Sequence, residues 1–273
     1  MNKYVVILIL IVWSNCSAVQ PDSTDQNLIG TIEKDMSSAG NNASYIVGEV
    51  GSLSWKSVAI LTAVGAGSYI VSIEDEQLRT TASEGHTKTW DSFNNAVREF
   101  GGTYSIVGVA GGLYAGGLLF GSEEVRTTGR LVAEGLIVSG LVNGTLKVLF
   151  GRARPYMNTG STNFQWLESS NDFQSFPSGH TTVAFTISTV LASQINRWWA
   201  TIPLYGLAAA TGYSRMYHDK HWASDVFLGA AIGYLSGKLI VSAEEHRQIT
   251  AKTHTSEFRL YPTLGGIGLI YKF

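Results

Sequence analysis

Six apolar segments recur along the chain, separated by polar stretches. They lie at about 55–73, 101–121, 130–149, 179–196, 198–213 and 221–241. Their length, and their mixture of Ala, Leu and Gly with β-branched residues, favour helices over strands. No repeat of fixed period is visible. The pattern predicts an all-α protein, a helical bundle of about six core helices.

The N-terminus has a pattern typical of a secretory signal peptide over residues 1–18. Lys3 precedes an apolar run, and Cys16 and Ala18 occupy the −3 and −1 positions of a small-residue cleavage site. An uncleaved anchor and lipid attachment at Cys16 are the alternatives. Cleavage would remove the chain's one cysteine and so exclude thiol catalysis. Residues 19–53 are polar, and we expect a surface segment with one short helix.

The C-terminal extension, residues 246–273, changes character. Ile267, Leu269, Tyr271 and Phe273 alternate with other residues at strand period. Gly265–Gly266 forms a turn to Phe258–Tyr261, which predicts a short β-hairpin packed on the bundle. A terminal Phe on such a strand is also typical of outer-membrane barrels, but one hairpin cannot close a barrel.

Composition and charge narrow the class of protein. Charged residues make up 15% and apolar residues 45%, and the net charge of −2 argues against a nucleic-acid binder. Ser57–Ile73 and Gly101–Gly121 carry no charge for 17 and 21 residues, close to a membrane span. The other segments are interrupted by charges such as Glu134 and Asp225. We expect a membrane-associated bundle, with a soluble bundle as the alternative.

The first candidate cluster follows the third apolar segment. Lys147 lies near the end of the predicted helix, and Gly151 and Pro155 mark its break into a loop. A cation at a helix C-terminus also complements the helix dipole, which needs no further function. Arg152 and Arg154 indicate more, because arginine makes bidentate contacts with phosphate.

The second cluster, Pro177-Ser178-Gly179-His180, opens the fourth apolar segment. The simplest interpretation is that Ser178 is a helix N-cap. The free backbone N–H groups and positive dipole at such a helix start also favour an anion. Ser178 adds a hydroxyl there and His180 adds a titratable proton.

The third cluster is Ser214-Arg215 followed by His221 and Asp225. On a helix, residues four apart share a face, so His221 and Asp225 could form a hydrogen bond. A carboxylate on one imidazole nitrogen leaves the other as a nucleophile or base. A structural surface contact would explain the same pair.

Together the clusters resemble the signature of the type 2 phosphatidic acid phosphatase superfamily, which includes bacterial class A acid phosphatases and vanadium haloperoxidases. That signature reads Lys-x6-Arg-Pro, Pro-Ser-Gly-His and Ser-Arg-x5-His-x3-Asp, and this chain matches all eleven letters in order. The resemblance covers about residues 100–241. It implies a helical phosphatase domain over 54–245.

The resemblance implies a role for each residue of the site. His221 attacks phosphorus and forms a phosphohistidine, Asp225 orients it, and His180 protonates the leaving alcohol. The phosphate is bound by Lys147, Arg154, Ser178, Gly179 and Arg215. No metal ion or cofactor is implied. His218 and Asp219 lie outside the signature and are expected in a solvated loop, and Trp222 is expected to pack.

The resulting prediction is an exported phosphatase of the cell envelope, with its site facing the periplasm or exterior. Its substrate would be a phosphorylated lipid (phosphatidate, phosphatidylglycerol phosphate, undecaprenyl diphosphate or lipid A type) or a small phosphate ester. The alternative is a soluble periplasmic acid phosphatase, a branch similar to this chain at Ser175–Thr181 and His221–Val226. A vanadium haloperoxidase would use the same residues, although the chain is short for that branch. A non-enzymatic membrane protein would not need the intact set.

Overall fold

The computed structural model describes residues 28–255 and two strands at 258–263 and 266–271. The predicted signal peptide with Cys16 lies outside these described residues, as do Gly265 and Phe273.

The described chain is helical, which confirms the predicted fold class. In chain order the helices are α1 Leu28–Gly51, α2 Trp55–Ser72, α3 Asp75–Ser83, α4 Lys88–Arg98, α5 Thr103–Leu119, α6 Glu123–Phe150, α7 Gly179–Ile195, α8 Trp198–Tyr217 and α9 Ala223–Thr255. Helix α5 includes a π-helical stretch, Ile106–Gly111. The six predicted segments correspond to α2 and α5 to α9. The two strands of the predicted hairpin are also present, since β1 Phe258–Thr263 pairs antiparallel with β2 Gly266–Tyr271, and its packing on the bundle stays a prediction.

The N-terminal part differs from the expectation of one short helix. Helix α1 has 24 residues, and its buried side chains are the polar Asp35, Ser38 and Asn42. Because its packed face is polar, α1 carries no clear apolar stripe for sequence analysis to find. Helices α3 and α4 lie within a stretch that was expected only to separate the apolar segments.

Helix α7 lies at the centre of the bundle and contacts α6, α8 and α9. Glycines on α9 allow the closest of these approaches. A Cβ atom at Gly229 would lie 2.6 Å from the Ser178 carbonyl oxygen, and one at Gly233 would lie 2.4 Å from that of Thr182. The backbone N–H of Ser178 donates to the Asp225 carbonyl at 3.0 Å. The packing therefore brings together the starts of α7 and α9, where two of the candidate clusters lie.

Among the described residues, two helices are long and apolar enough to cross a membrane, Glu123–Phe150 and Ala223–Lys252. Helices α2 and α3 make a third span only if the pair, bent by 64°, is counted as one. Of the two charge-free runs, Ser57–Ile73 lies largely in that bent pair and Gly101–Gly121 corresponds to the shorter apolar helix α5. The charge of Glu134 does not interrupt α6, because Arg130 pairs with it inside the bundle at 2.6 Å.

Buried ion pairs tie α1, α6 and α9 together near the start of α6. Arg130 contacts Glu134 and, at 2.9 Å, Glu244, while Arg126 contacts Asp35 at 2.8 Å. We call this the distal network: Asp35, Arg126, Arg130, Glu134, Glu244 and Arg247. Along α6, the 17 residues from Arg130 to Lys147 correspond to about 25 Å at the helical rise.

Candidate active site

The first cluster lies where α6 turns into a loop. Gly151 ends the helix with φ +51°, and a Cβ atom there would lie 1.7 Å from the Gln165 carbonyl oxygen. Only glycine fits this turn. Lys147, one helical turn earlier, donates from Nζ to the Gln174 carbonyl at 2.6 Å. That bond uses one of the three N–H donors of the ammonium group.

Arg154 follows in extended backbone and donates from Nη2 to the Asn171 side chain at 2.9 Å. Its Nε atom is buried and has no hydrogen-bond partner in the structure. Buried donors in proteins are usually satisfied, so this nitrogen is available to a ligand, although Arg130 of the distal network also has a buried, unpaired Nε atom.

The second cluster is the N-terminus of α7. Ser178 has the extended backbone of an N-cap residue, but its side chain does not cap the helix. Instead its Oγ accepts a hydrogen bond from Thr181 Oγ1 at 2.8 Å, which leaves its own hydroxyl proton available. The simple N-cap interpretation is therefore wrong for the side chain. The helix start, with the Gly179 N–H, retains its donors for an anion.

In the third cluster, His221 precedes α9 and is 4% exposed. Its Nδ1 atom lies 2.7 Å from the Ser175 carbonyl oxygen and 3.7 Å from Asp225 Oδ2. The expected direct hydrogen bond to Asp225 is thus replaced by one to a backbone carbonyl. Because a carbonyl oxygen can only accept, Nδ1 must carry the proton and Nε2 keeps its lone pair.

Asp225 is fully buried and its carboxylate is held on both sides. Oδ1 accepts from Arg152 at 2.6 Å, and Oδ2 accepts from the Trp222 backbone N–H at 2.9 Å and from the Ser175 hydroxyl. Ser175 therefore contacts His221 through its carbonyl and Asp225 through its hydroxyl. This shared contact fixes the imidazole relative to the carboxylate.

The cations of the site have no anionic partners. Among residues 28–255, no carboxylate forms an ion pair with Lys147, Arg154 or Arg215. Burial and the charges of Arg154 and Arg98 lower the pKa of Arg215 to about 10. The Nε atom of Arg215 is also buried without a partner. Such crowding of like charges favours the binding of an anion.

Both histidines are neutral at pH 7 in this site. Burial lowers the pKa of His180 to about 4, assisted by nearby cations, namely Arg215, Arg98, Lys147 and Arg154. Burial also lowers the pKa of His221 to about 3, against the opposing effect of Asp225. All three predicted phosphate-binding cations are among the charges that lower the pKa of His180. A Cβ atom at Gly179 would lie 3.8 Å from Lys147 Cε, and the Ser178 backbone N–H bonds the Asp225 carbonyl, so the three clusters lie close together.

The residues outside the signature have defined contacts. Asp219 lies in the turn after α8 with its side chain 27% exposed, and both of its oxygens accept from Arg79 of α3 at 2.7 Å. His218 Nδ1 lies 2.7 Å from the Ser214 carbonyl oxygen at the end of α8. Trp222 packs, as expected, and is 1% exposed, with Nε1 donating to the Ala153 carbonyl at 2.9 Å.

An apolar cavity of about 580 Å³ lies between α2, α6 and α9, and none of the predicted catalytic or phosphate-binding residues lines it. Leu61, Leu146 and Leu228 are among its lining residues, and Arg152 and Ser224 line it beside the carboxylate of Asp225. For a metal ion the described part of the chain offers no group of three or more His, Cys, Asp or Glu. The arrangement can bind an anion beside a buried histidine whose Nε2 lone pair is free, and Arg152 and Ser224 connect the Asp225 carboxylate to the apolar cavity.

Comparisons with known proteins agree with this geometry. Residues 129–249 match the model of the PAP2 superfamily. Over 105 residues (38% of this chain) the sequence is 36% identical to a lipid A 1-phosphatase of Porphyromonas gingivalis, covering 20% of that protein. Over 132 residues (47% of this chain) it is 35% identical to a putative undecaprenyl-diphosphatase of Escherichia coli, YbjG, covering 65% of it.

The fold is similar to that of a transmembrane PAP2-type phosphatidylglycerolphosphate phosphatase from Bacillus subtilis. The TM-score is 0.55 at 21% identity, over 68% of this chain and 96% of that one. The match thus covers nearly the full length of the solved structure, but only 20% of the length of the lipid A 1-phosphatase and 65% of that of the undecaprenyl-diphosphatase.

Proposed function

The chain belongs to the PAP2 superfamily, and on that premise we propose that it is a metal-independent lipid phosphate phosphatase of the cell envelope. The observation that carries the proposal is the state of His221. Its Nδ1–H is held by the Ser175 carbonyl, its Nε2 lone pair is free, and burial keeps the ring neutral. The two candidate spans support a membrane protein.

In the first step, Nε2 of His221 attacks phosphorus as the ester P–O bond breaks. The proton on His180 passes to the leaving alkoxide. Charge on the equatorial oxygens is stabilised by Lys147, Arg154 and Arg215, with the donors of Ser178 and Gly179. The negative charge of Asp225, 3.7 Å from Nδ1, stabilises the cationic ring of the phosphohistidine.

In the second step, His180, now neutral, takes a proton from water as the water oxygen attacks phosphorus. The P–N bond breaks, inorganic phosphate leaves, and both histidines return to their starting states. A dianionic ester also offsets the positive charges that lower the pKa of His180, so that His180 holds a proton once substrate is bound.

The apolar cavity between α2, α6 and α9 supports a lipid as the substrate. Its lining is predominantly apolar, as a hydrocarbon chain requires, and it reaches the residues that hold Asp225. One curated relative is named a lipid A 1-phosphatase and the other a putative undecaprenyl-diphosphatase, so both names refer to phosphorylated lipids. An exported site facing the periplasm belongs to the same proposal and rests on the predicted signal peptide.

Phosphate release by the purified protein in EDTA tests the proposal. A soluble aryl phosphate is compared with lipid A, undecaprenyl diphosphate and phosphatidate in detergent micelles. Preference for a lipid supports a lipid phosphate phosphatase. Equal or faster turnover of the aryl phosphate favours a soluble-substrate acid phosphatase. No release from any ester, or release that disappears in EDTA, overturns the metal-independent activity.

A substitution in the cavity sharpens the test. Gly65 lines the cavity, and a Cβ atom there would meet open space. We expect Gly65→Leu to lower kcat/KM for the lipid by about 10-fold and to leave aryl phosphate turnover unchanged. Gly140→Leu is the matched control, because it also points a side chain into open space but does not line the cavity. Equal effects of the two substitutions would remove the cavity from the proposal.

A further inference from the structure

Arg152 lies between two predicted phosphate-binding cations in the sequence, yet its contacts are different. Its guanidinium is 2% exposed and bonds two carboxylates, Asp225 Oδ1 at 2.6 Å and Asp75 Oδ2 at 2.7 Å. It also donates to the Ser161 carbonyl at 2.6 Å. These contacts pair the guanidinium with oxygen atoms of the protein itself.

Asp75 begins α3 and is fully buried. Besides Arg152, its oxygens accept from the backbone N–H of Ser224 at 2.9 Å and from the Ser224 hydroxyl at 2.6 Å. Ser224 directly precedes Asp225. Asp75 therefore positions the Asp225 carboxylate in two ways, through the guanidinium of Arg152 and through the backbone of Ser224.

Charge explains why an arginine is needed here. Asp75 and Asp225 are both buried, and one guanidinium offers a separate N–H group to each. Two buried carboxylates without that cation repel each other, and one of them takes up a proton. A proton on Asp225 would remove the negative charge beside His221.

We propose that Asp75 and Arg152 are positioning residues that keep the Asp225 carboxylate ionised and fixed beside His221. The inference rests on the proposed function, since it concerns the same phosphoryl transfer. Neither side chain touches the substrate in this arrangement. Each acts through Asp225.

The test starts from Arg152→Gln, which leaves the two carboxylates together. We expect kcat for the aryl phosphate to fall on the order of 10²-fold at pH 7, with KM little changed. The lost activity should return as pH rises, because the shared proton then leaves the pair. Arg152→Lys should have a kcat between those of Arg152→Gln and the wild type, because one ammonium group cannot offer a separate N–H group to each carboxylate in the same geometry.

A second substitution gives a result that general damage to the fold would not give. Adding Asp75→Asn to Arg152→Gln removes the repulsion, so the double variant should have a higher kcat and a higher melting temperature than Arg152→Gln alone. Asp35→Asn is the matched control, because it breaks an equally buried ion pair of the distal network. It should lower the melting temperature and leave kcat unchanged.

The outcomes separate the two proposals. A wild-type protein that releases no phosphate overturns the proposed function. An active wild type whose Arg152→Gln variant keeps its kcat, or whose pH profile and double variant show no recovery, overturns the positioning role. Should Arg152→Gln fail to fold, the same comparison is made with Asp75→Asn alone, for which we expect a smaller loss of kcat than for Arg152→Lys. An Asp75→Asn variant with unchanged kcat would overturn the role of Asp75.

Discussion

The two ends of the bundle use arginines in opposite ways. In the distal network, Arg126, Arg130 and the partly exposed Arg247 each pair with a carboxylate, so the charges are balanced. At the candidate active site, Arg154 and Arg215 form no ion pair with a carboxylate of the described residues. Residues of the same type therefore meet different electrostatic surroundings.

The difference separates stability from binding. A buried arginine that pairs with carboxylates holds helices together, and the loss of one partner leaves an uncompensated charge. A group of unpaired cations is held in place at an electrostatic cost, which an anion relieves when it binds. In this site Arg152 is an arginine paired with carboxylates, although in the sequence it lies two residues from the unpaired Arg154. Three experiments test this difference between the two ends.

The largest effect is expected from His221→Asn. Asparagine keeps an amide donor for the Ser175 carbonyl but has no nucleophilic nitrogen. We expect kcat to fall by about 10⁴-fold or more, while inorganic phosphate binds with similar affinity because the cations remain. Phosphate release and calorimetric phosphate binding measure the two quantities. A variant that also loses phosphate binding would show that the anion site depends on the histidine.

The next effect comes from exchanging one arginine at each end for glutamine. Arg215→Gln should lower kcat/KM by 10²- to 10³-fold, with an equal or higher melting temperature because like charges are removed. Arg130→Gln leaves Glu134 without its cation and Glu244 with Arg247, and should cost about 3–5 kcal/mol of stability, with unchanged kcat in the folded protein. Phosphate release and thermal melting are measured on both. If both variants lose mainly activity, or both lose mainly stability, the two ends do not differ in the way described.

The smallest effect concerns protons. The pKa of His180 is lowered to about 4 in the free protein, and the negative charge of bound phosphate should raise it. His180 should therefore take up a proton when phosphate binds at a pH above about 4. Affinity for phosphate should therefore fall as pH rises from about 4 through the raised pKa. Calorimetry in buffers of different ionisation enthalpy measures this uptake. His180→Gln should remove its share of the buffer dependence, and identical results for variant and wild type would contradict the interpretation.

Much of the fold follows from the sequence because it rests on long apolar runs. Helices α2 and α5 to α9 could be predicted in this way, and the three motifs lie where α6, α7 and α9 begin or end. Helices α1 and α3 could not, because their buried faces include Asp35 and Asp75, and carboxylates are normally expected at the surface. Only tertiary pairing with arginines makes their burial favourable.

The site shows a similar limit. The spacing of His221 and Asp225 predicts a contact between them, but not that the Ser175 carbonyl takes the imidazole proton. That contact depends on how the loop before α7 folds over the start of α9. The signature includes Arg154 and not Arg152, but it does not predict that Arg152 pairs with Asp75 and Asp225, because Asp75 lies far outside the three motifs.

Asp75 lies 54 positions before residue 129, where the match to the PAP2 superfamily begins. The matched segment is therefore not a self-sufficient module. A chimaera that joins residues 129–249 to the leading helices of another protein inherits Arg152 without its second counter-ion. Such a graft has to provide a buried carboxylate at the same point in space, from whatever helix occupies the place of α3.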